Sequence, residues 1–209
     1  MTQQQVDLLL QAGASPIGLD FAARWADATF MVAADTSQAR RIRTDLRTRA
    51  ARAGRSPDDI TTLMGVQPVV GTTDEEAQAK LQQQKDLIDP WTAWQDLATL
   101  FRADPNDWEL ADSAEDFLKR QRGATGAAGF ENIVAQVVAD GATTLGALAV
   151  IGALAQFKPI LVGSAETVAQ EMQAMVEQGA TDGFMIMATV VPESFTSFAQ
   201  VIARLNGRT

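Results

Sequence analysis

Cysteine, histidine and tyrosine are all absent from the 209 residues. Without cysteine there can be no disulfide, thiolate metal site or cysteine nucleophile. Without histidine there is no Ser-His-Asp triad, no imidazole metal ligand and no use of the commonest general acid–base side chain. No metal site is therefore expected, and no catalytic side chain can be named. Chemistry has to come from carboxylates, Lys, Arg, hydroxyls, a bound cofactor or another chain. Positive charge is also scarce. A formal net charge of −9 argues against nucleic acid or anionic lipid as a partner, since both reward a basic surface. The local exception is Arg40-Arg41 with Arg43, Arg47, Arg49, Arg52 and Arg55, whose helical spacing reads as a solvated outer face. Long apolar runs are missing as well. The most apolar stretch, residues 145–157, is too short to span a bilayer. Met1-Thr2-Gln3-Gln4-Gln5 lacks the basic start and apolar run of a signal peptide. A soluble, cytoplasmic protein with neither a nucleic-acid nor a membrane partner is the expectation.

What is present suits one globular domain over residues 1–209. Hydrophobic residues make up 46% of the chain, and the length allows a substantial core. Residues 7–11 read as a short apolar strand stopped by Gly13. Pro16 can open a helix with Leu19, Phe21, Ala22 and Ala26 at helical spacing. Residues 28–33 form a second strand, with Thr29, Phe30 and Val32 favouring it. A long helix follows, with Thr36 or Ser37 as N-cap, Ile42 and Leu46 inside, and Gly54 just past its end. Residues 60–70 are again strand-like, and Pro68 is expected to end their regular pairing. Thr73 and Glu76 have capping-box spacing ahead of the next helix.

Residues 87–157 break this rhythm. They are helical in pattern, with Trp91, Trp94, Leu97, Leu100 and Phe101 on one apolar face, and they are interrupted by Pro105-Asn106-Asp107 and a glycine-rich stretch at 123–129. Order returns with a short extended segment at 159–162. Gly163-Ser164-Ala165-Glu166 then caps a helix, residues 182–188 form the last strand, and a final helix puts Phe195, Phe198, Val201, Ile202 and Leu205 inside. Four strand–helix units imply an α/β fold with a parallel sheet. A complete eight-fold barrel typically takes roughly 250 residues, so this chain has room for half of one. A small doubly wound sheet fits the same periodicity.

Several blocks resemble one family. Gln11-Ala12-Gly13-Ala14-Ser15-Pro16-Ile17-Gly18, followed by residues 21–30, resembles the passage from the fifth to the sixth strand of the bacterial-luciferase-like flavin-dependent monooxygenases, in the branch of the nitrilotriacetate and dibenzothiophene-sulfone monooxygenases. The resemblance continues through residues 50–60, 67–77, 162–169, 179–186 and 191–195, in the family's order. It implies a partial TIM (β/α)8 barrel, strands five to eight, with a helical insertion at residues 89–158 after the third strand of this chain. It also implies an FMN-dependent, two-component monooxygenase using O2 and reduced FMN from a separate flavin reductase to act on a small organic substrate. Strands one to four of the family are not in this sequence, and Trp25 stands where the family often has His.

The sharpest candidate site is the turn Gln11, Ala12, Gly13, Ala14, Ser15, where the resemblance implies that the FMN phosphate sits. Backbone N–H groups at a strand-to-helix turn point outward, the helix adds its positive dipole end, Gly13 permits close approach and Ser15 offers a hydroxyl. The plainer reading is an ordinary turn with Ser15 as N-cap. Gly163–Glu166 reads as capping, Trp91 and Trp94 as packing, Met185 and Met187 as a strand buried on both faces, and Asp58-Asp59 as a polar loop. Two functions follow. One is an FMN-dependent monooxygenase, or its C-terminal fragment or subunit. The other is a non-catalytic remnant from a truncated or restarted reading frame, or a flavin-binding protein needing a partner. A half barrel leaves two strand edges unpaired, which calls for an N-terminal half-barrel chain or a homo-oligomer.

Overall fold

In the computed structural model, which describes residues 8–207, the alternating pattern becomes a five-stranded sheet in which every pairing is parallel. Met1 to Gln5 and Asp7, read above as the chain start and first strand residue, lie outside the described residues. The order is β1 (Leu10–Ala12), α1 (Pro16–Trp25), β2 (Ala28–Met31), α2 (Thr36–Arg52), β3 (Thr61–Gly71) and α3 (Asp74–Asp86). Four helices follow: α4 (Pro90–Leu100), α5 (Ala114–Arg120), α6 (Ala128–Ala139) and α7 (Leu145–Ala155). The chain continues with β4 (Ile160–Ser164), α8 (Ala165–Glu177), β5 (Gly183–Ile186) and α9 (Glu193–Leu205). This is the expected α/β class with a parallel sheet, with the extended segment near residue 160 as a fifth strand. Among the described residues no helix is long and apolar enough to cross a membrane.

The strand β3 holds the sheet together. Its first half pairs with β2 through Thr61–Met64 and with β5 through Leu63–Val66, and its second half pairs with β4 through Gln67–Gly71. Pro68 therefore does not end the strand. Gln67 donates its N–H to Pro159 at the start of β4, and backbone groups alternate sides along a strand. The N–H that Pro68 lacks thus faces away from β4, toward the flank where pairing with β5 stops at Val66. A proline costs no ladder bond at such a place. On that same flank the carbonyl of Val70 accepts from Lys80 Nζ at 3.2 Å, and Lys80 also binds Glu76 and Glu193, tying α3 and α9 to the strand end.

Helix starts follow local side-chain chemistry. The cap of α2 is Asp35, not Thr36 or Ser37: its carboxylate accepts the Gln38 N–H at 2.6 Å, and Gln38 Oε1 returns to the Ala34 N–H at 2.7 Å. Thr73 caps α3 through the Glu76 N–H, but Glu76 reaches back one residue further than a capping box would, to the N–H and hydroxyl of Thr72. Those bonds and Lys80 lower the Glu76 carboxyl to about 2. Ser164 caps α8 through Thr167 as expected.

One core joins β2, β3 and β4 to α8 and α9 around Met31, Met64, Val66, Leu161, Val168 and Val201. A second packs α1 on α2 through Leu19, Ala22, Leu46 and Ala50. A third belongs to the helical segment, where Trp94, Phe101 and Trp108 meet Phe117 edge-on at ring separations of 5.0, 5.2 and 5.1 Å. Four residues of the apolar helix faces, two of them expected inside, lack cover. Phe21 in α1, Leu100 in α4, and Phe195 and Ile202 in α9 are exposed. The β5 strand is half-buried throughout, not covered on both faces. Apolar periodicity identifies a face that favours burial without saying whether the described residues supply the cover. The exposed apolar groups concentrate at the sheet's two outer strands. Leu8, Leu9, Leu10, Ile17, Phe21 and Trp25 lie around β1 and α1, while Val190, Val191, Phe195 and Ile202 lie beyond β5 and on α9.

The arginine face of α2 is not simply solvated. Arg43 and Arg47 reach Asp182 at the start of β5, Arg47 also binds Asp58, Arg49 binds Asp20 and Asp45, and Arg55 donates to the Ala26 carbonyl. Asp182 additionally accepts from the Thr62 N–H at 2.9 Å and hydroxyl at 2.7 Å, so one carboxylate links α2, β3 and β5. Burial pushes its pKa up, but the bonds from Arg43 and Thr62 prevail and hold it below the ordinary carboxylate value. A carboxyl lowered in the folded state stabilises the fold above its unfolded pKa, and that contribution disappears as the pH falls through the folded value. Asp182→Ala should cost about 1–3 kcal/mol in urea unfolding at neutral pH. The deficit relative to wild type should shrink as the pH drops below about 4, and a pH-independent deficit would exclude the charge as its cause.

Candidate functional site

The five residues of the sequence-derived turn lie together at the C-terminal end of β1, where it passes into α1. Gly13 has φ +107, a conformation that L side chains rarely adopt, and its N–H donates to the Phe30 carbonyl at 2.9 Å. Ser15 is the N-cap of α1, its Oγ accepting the Gly18 N–H at 3.1 Å. Among the described residues, the N–H groups of Ala14 and Ser15 meet no protein acceptor. Pro16 at the first helical position brings no N–H of its own. Two backbone donors without a protein acceptor, a hydroxyl hydrogen still free to donate and the positive end of a ten-residue helix therefore lie together in an exposed turn.

Gln11 plays a different part. Its Oε1 accepts from the Thr29 hydroxyl at 2.8 Å and its Nε2 donates to the Ala12 carbonyl at 2.6 Å. A Cβ built on Gly18 would stand 2.8 Å from that Nε2 and 3.1 Å from Ser15 Oγ. The Gln11 side chain thus points under α1 and braces the turn, and Gly18 provides the clearance for it. The first turn of α6 approaches from above, with a Cβ on Gly129 falling 3.9 Å from the Ala14 carbonyl oxygen.

A second group of residues occupies the face of the sheet opposite α8 and α9. Met31, Met64 and Val66, with Phe184 and Ile186, point toward those helices. Alternation then sends Phe30, Gly65, Gln67 and Met185 to the other face. A Cβ on Gly65 would collide with the Phe30 ring at 2.8 Å and stand 3.0 Å from Lys158 Cδ, so the Phe30 ring and the Lys158 stem both lie over this glycine. Lys158 is only 6% exposed. Its Nζ donates to Gln156 Oε1 at 3.0 Å, and no carboxylate among the described residues pairs with it. Burial pushes its pKa down. Gln156 and Phe157, at φ 48 and 60, turn the chain so that α7 delivers this lysine onto the sheet. Gln67 is 2% exposed, and its Nε2 has no partner among the described residues.

The two groups lie at one end of the sheet. Ala12 is in register with Phe30, and Phe30 with Leu63, so Gly65 stands two residues beyond the end of β1 and two strands away from it. At a strand spacing of about 4.8 Å the separation is about 10 Å. Sequence reasoning missed Lys158, Gln67 and Gly65, although signals existed. Lys158 is the one charged residue between Asp140 and Glu166, while Gln67 and Gly65 interrupt an otherwise apolar strand. The remaining candidates are structural. Trp94 is fully buried with its Nε1 donating to the Pro105 carbonyl at 3.1 Å, and Asp58 pairs with Arg47.

A parallel α/β sheet with unpaired backbone donors at a strand-to-helix turn and an apolar face near the same end is an arrangement that barrel enzymes also show. The model of the luciferase-like monooxygenase family matches residues 2–182, and the chain belongs to that family. It is 33% identical over 208 residues to the dimethyl-sulfide monooxygenase of Hyphomicrobium sulfonivorans, covering 95% of this chain and 40% of that enzyme. It is 30% identical over 209 residues to the N-acetyl-S-(2-succino)cysteine monooxygenase of Bacillus subtilis (strain 168), covering 99% of this chain and 47% of that one. The crystal structure of DmoA from Hyphomicrobium sulfonivorans aligns with a TM-score of 0.78 at 28% identity, over 97% of this chain and 42% of that chain. The chain thus spans less than half the length of these relatives.

Gly13→Ala should destabilise the fold by about 1–2 kcal/mol, because alanine at this positive φ is strained. Equilibrium urea unfolding reads this directly, and a change indistinguishable from zero would mean that the turn relaxes to another conformation.

Proposed function

We propose that this chain forms strands five to eight of a (β/α)8 barrel and supplies the phosphate-binding side of a flavin site in a two-component, FMN-dependent monooxygenase. The observation that carries the reading is the turn Gly13–Ser15, with two unsatisfied backbone donors and a hydroxyl at the start of α1. A phosphate fits this donor set: it accepts from backbone N–H groups and hydroxyls, needs no Cβ in its way, and is favoured by a helix N-terminus. Reduced FMN, when bound, supplies the electrons that activate dioxygen, and by family resemblance a separate flavin reductase delivers it. The chain's own residues bind and orient. Ala14, Ser15 and the Ser15 hydroxyl hold the phosphate, Gln11 stiffens the turn from beneath, and Phe30 and Met185 form an apolar wall that excludes water from the region over the sheet. Helices α4 to α7, within residues 89–158, act as an insertion after the seventh strand that covers a small organic substrate.

The exposed edges support a further part of this reading, that the chain works only with a partner surface. Ile17 is 84% exposed, Trp25 65% and Phe195 57%, and the outer strands β1 and β5 each pair on one side only. These are the flanks that strands four and one of a closed barrel would cover. Their proposed occupant is the half barrel carrying strands one to four, because closing the barrel buries both flanks and removes both strand edges.

FMN titration of the purified chain, alone and co-expressed with the N-terminal half of the Hyphomicrobium sulfonivorans dimethyl-sulfide monooxygenase, tests both parts. Binding should be weak alone and tighten at least tenfold with the added half, and Ser15→Asp should remove at least tenfold through like-charge repulsion. Absence of FMN binding in both preparations would overturn the cofactor assignment. Unchanged affinity in Ser15→Asp would move the phosphate elsewhere. A chain that self-associates and ignores the added half would replace barrel completion by homo-oligomerisation.

A further inference from the structure

We infer that Lys158 and Gln67 form an oxyanion-binding site on the apolar face of the sheet, and that its ligand is a carboxylate or sulfonate group of the substrate. The inference rests on the monooxygenase reading only in calling this ligand a substrate.

Lys158 is 6% exposed as a residue, with its stem over Gly65 and beside Phe30, and a cation held on such a stem is costly unless an anion compensates it. Among the described residues none does, and the neutral amide oxygen of Gln156 is its one acceptor. The lysine is nevertheless held there by specific means. Two consecutive residues at positive φ deliver it from the end of α7, and Gly65 gives up its side chain so that the lysine stem can cross the strand. Gln67, one pleat beyond Gly65 on the same face, adds a second buried donor, Nε2, that no described residue satisfies. Two buried donors with unused capacity beside an apolar wall suit an acidic group on an otherwise apolar molecule. A lysine placed only to fill space would be better served by methionine.

The position agrees with a ligand rather than with folding. Gly65, over which the Lys158 stem lies, is two strands from β1, about 10 Å across the sheet from the strand whose end forms the phosphate-accepting turn. An anion held there would be a neighbour of whatever the turn binds, on the face where Met185 and Phe30 are half-buried.

Thermal unfolding of the full chain in methanesulfonate or succinate, compared with chloride at equal ionic strength, tests this directly. At 50 mM, either anion should raise the wild-type midpoint by about 2 °C beyond chloride. Gln67→Leu should reduce this increment, and Lys158→Met should abolish it. Lys158→Met should itself melt no lower than wild type in chloride, since it removes an uncompensated buried charge. An equal increment in Lys158→Met, or none in wild type, overturns the site. FMN affinity, measured in parallel, should agree within twofold between wild type and Lys158→Met. A tenfold loss would assign the ammonium to the flavin and overturn the substrate reading. If FMN binds neither protein while the anion increment persists in wild type alone, the cofactor reading fails and the oxyanion site stands.

Discussion

Everything in this fold hangs on β3 serving three neighbours. A parallel strand can have only one partner per flank at a given level, so β2 must end before β4 begins, and β3 must be long enough for both. With eleven residues, it carries β2 and β5 on its first half and β4 on its second. The exchange occurs between Met64 and Gln67, and Pro68 stands just past it, where the opposite flank has run out of partner. The polar and glycine residues of the apolar face are gathered near the same level. Gly65 and Gln67 sit beside the exchange, and Lys158 arrives on the segment that leads into β4. The turn after β1 is brought to this end of the sheet by the unbroken register from Ala12 through Phe30 to Leu63.

The opposite end of the sheet is fastened differently. Asp182, Thr62 and Thr181 exchange hydrogen bonds where β5 enters, and Arg43 and Arg47 approach from α2. Most of the charge there is paired internally, although Arg47 Nε keeps no partner among the described residues. At the other end, Ala14, Ser15 and Gln67 keep donors unused.

Much of the architecture was legible because it is written locally. The proline at the start of α1, the glycines at 13 and 54, and the apolar runs of β1, β2 and β3 each act within a few residues, and the family blocks fixed their order. The Gly13–Ser15 turn was legible for the same reason. What was not legible depends on who sits opposite. Phe21, Phe195 and Ile202 have helical spacing identical to that of buried residues, so the pattern marks a face for burial and is silent about its neighbour. Gln11 looked like a binding residue because it borders the turn, whereas its direction under α1 is decided by contact with Thr29 and Gly18. The arginines of α2 read as a solvated row because most of their acidic partners lie outside the helix, Asp182 farthest away in sequence. Lys158 stands just past the most apolar part of the chain, and nothing local says that its stem crosses a glycine on another strand.

The helical segment has its own aromatic centre, Trp94, Phe101 and Trp108 around Phe117, separate from the core that joins the sheet to α8 and α9. Two cores that share few side chains can be altered one at a time. Substitutions that reshape the roof above the sheet need not be compensated beneath it, and the register between the strands is untouched by them. Substitutions in the helical core can therefore accumulate without disturbing the residues held at the strand ends.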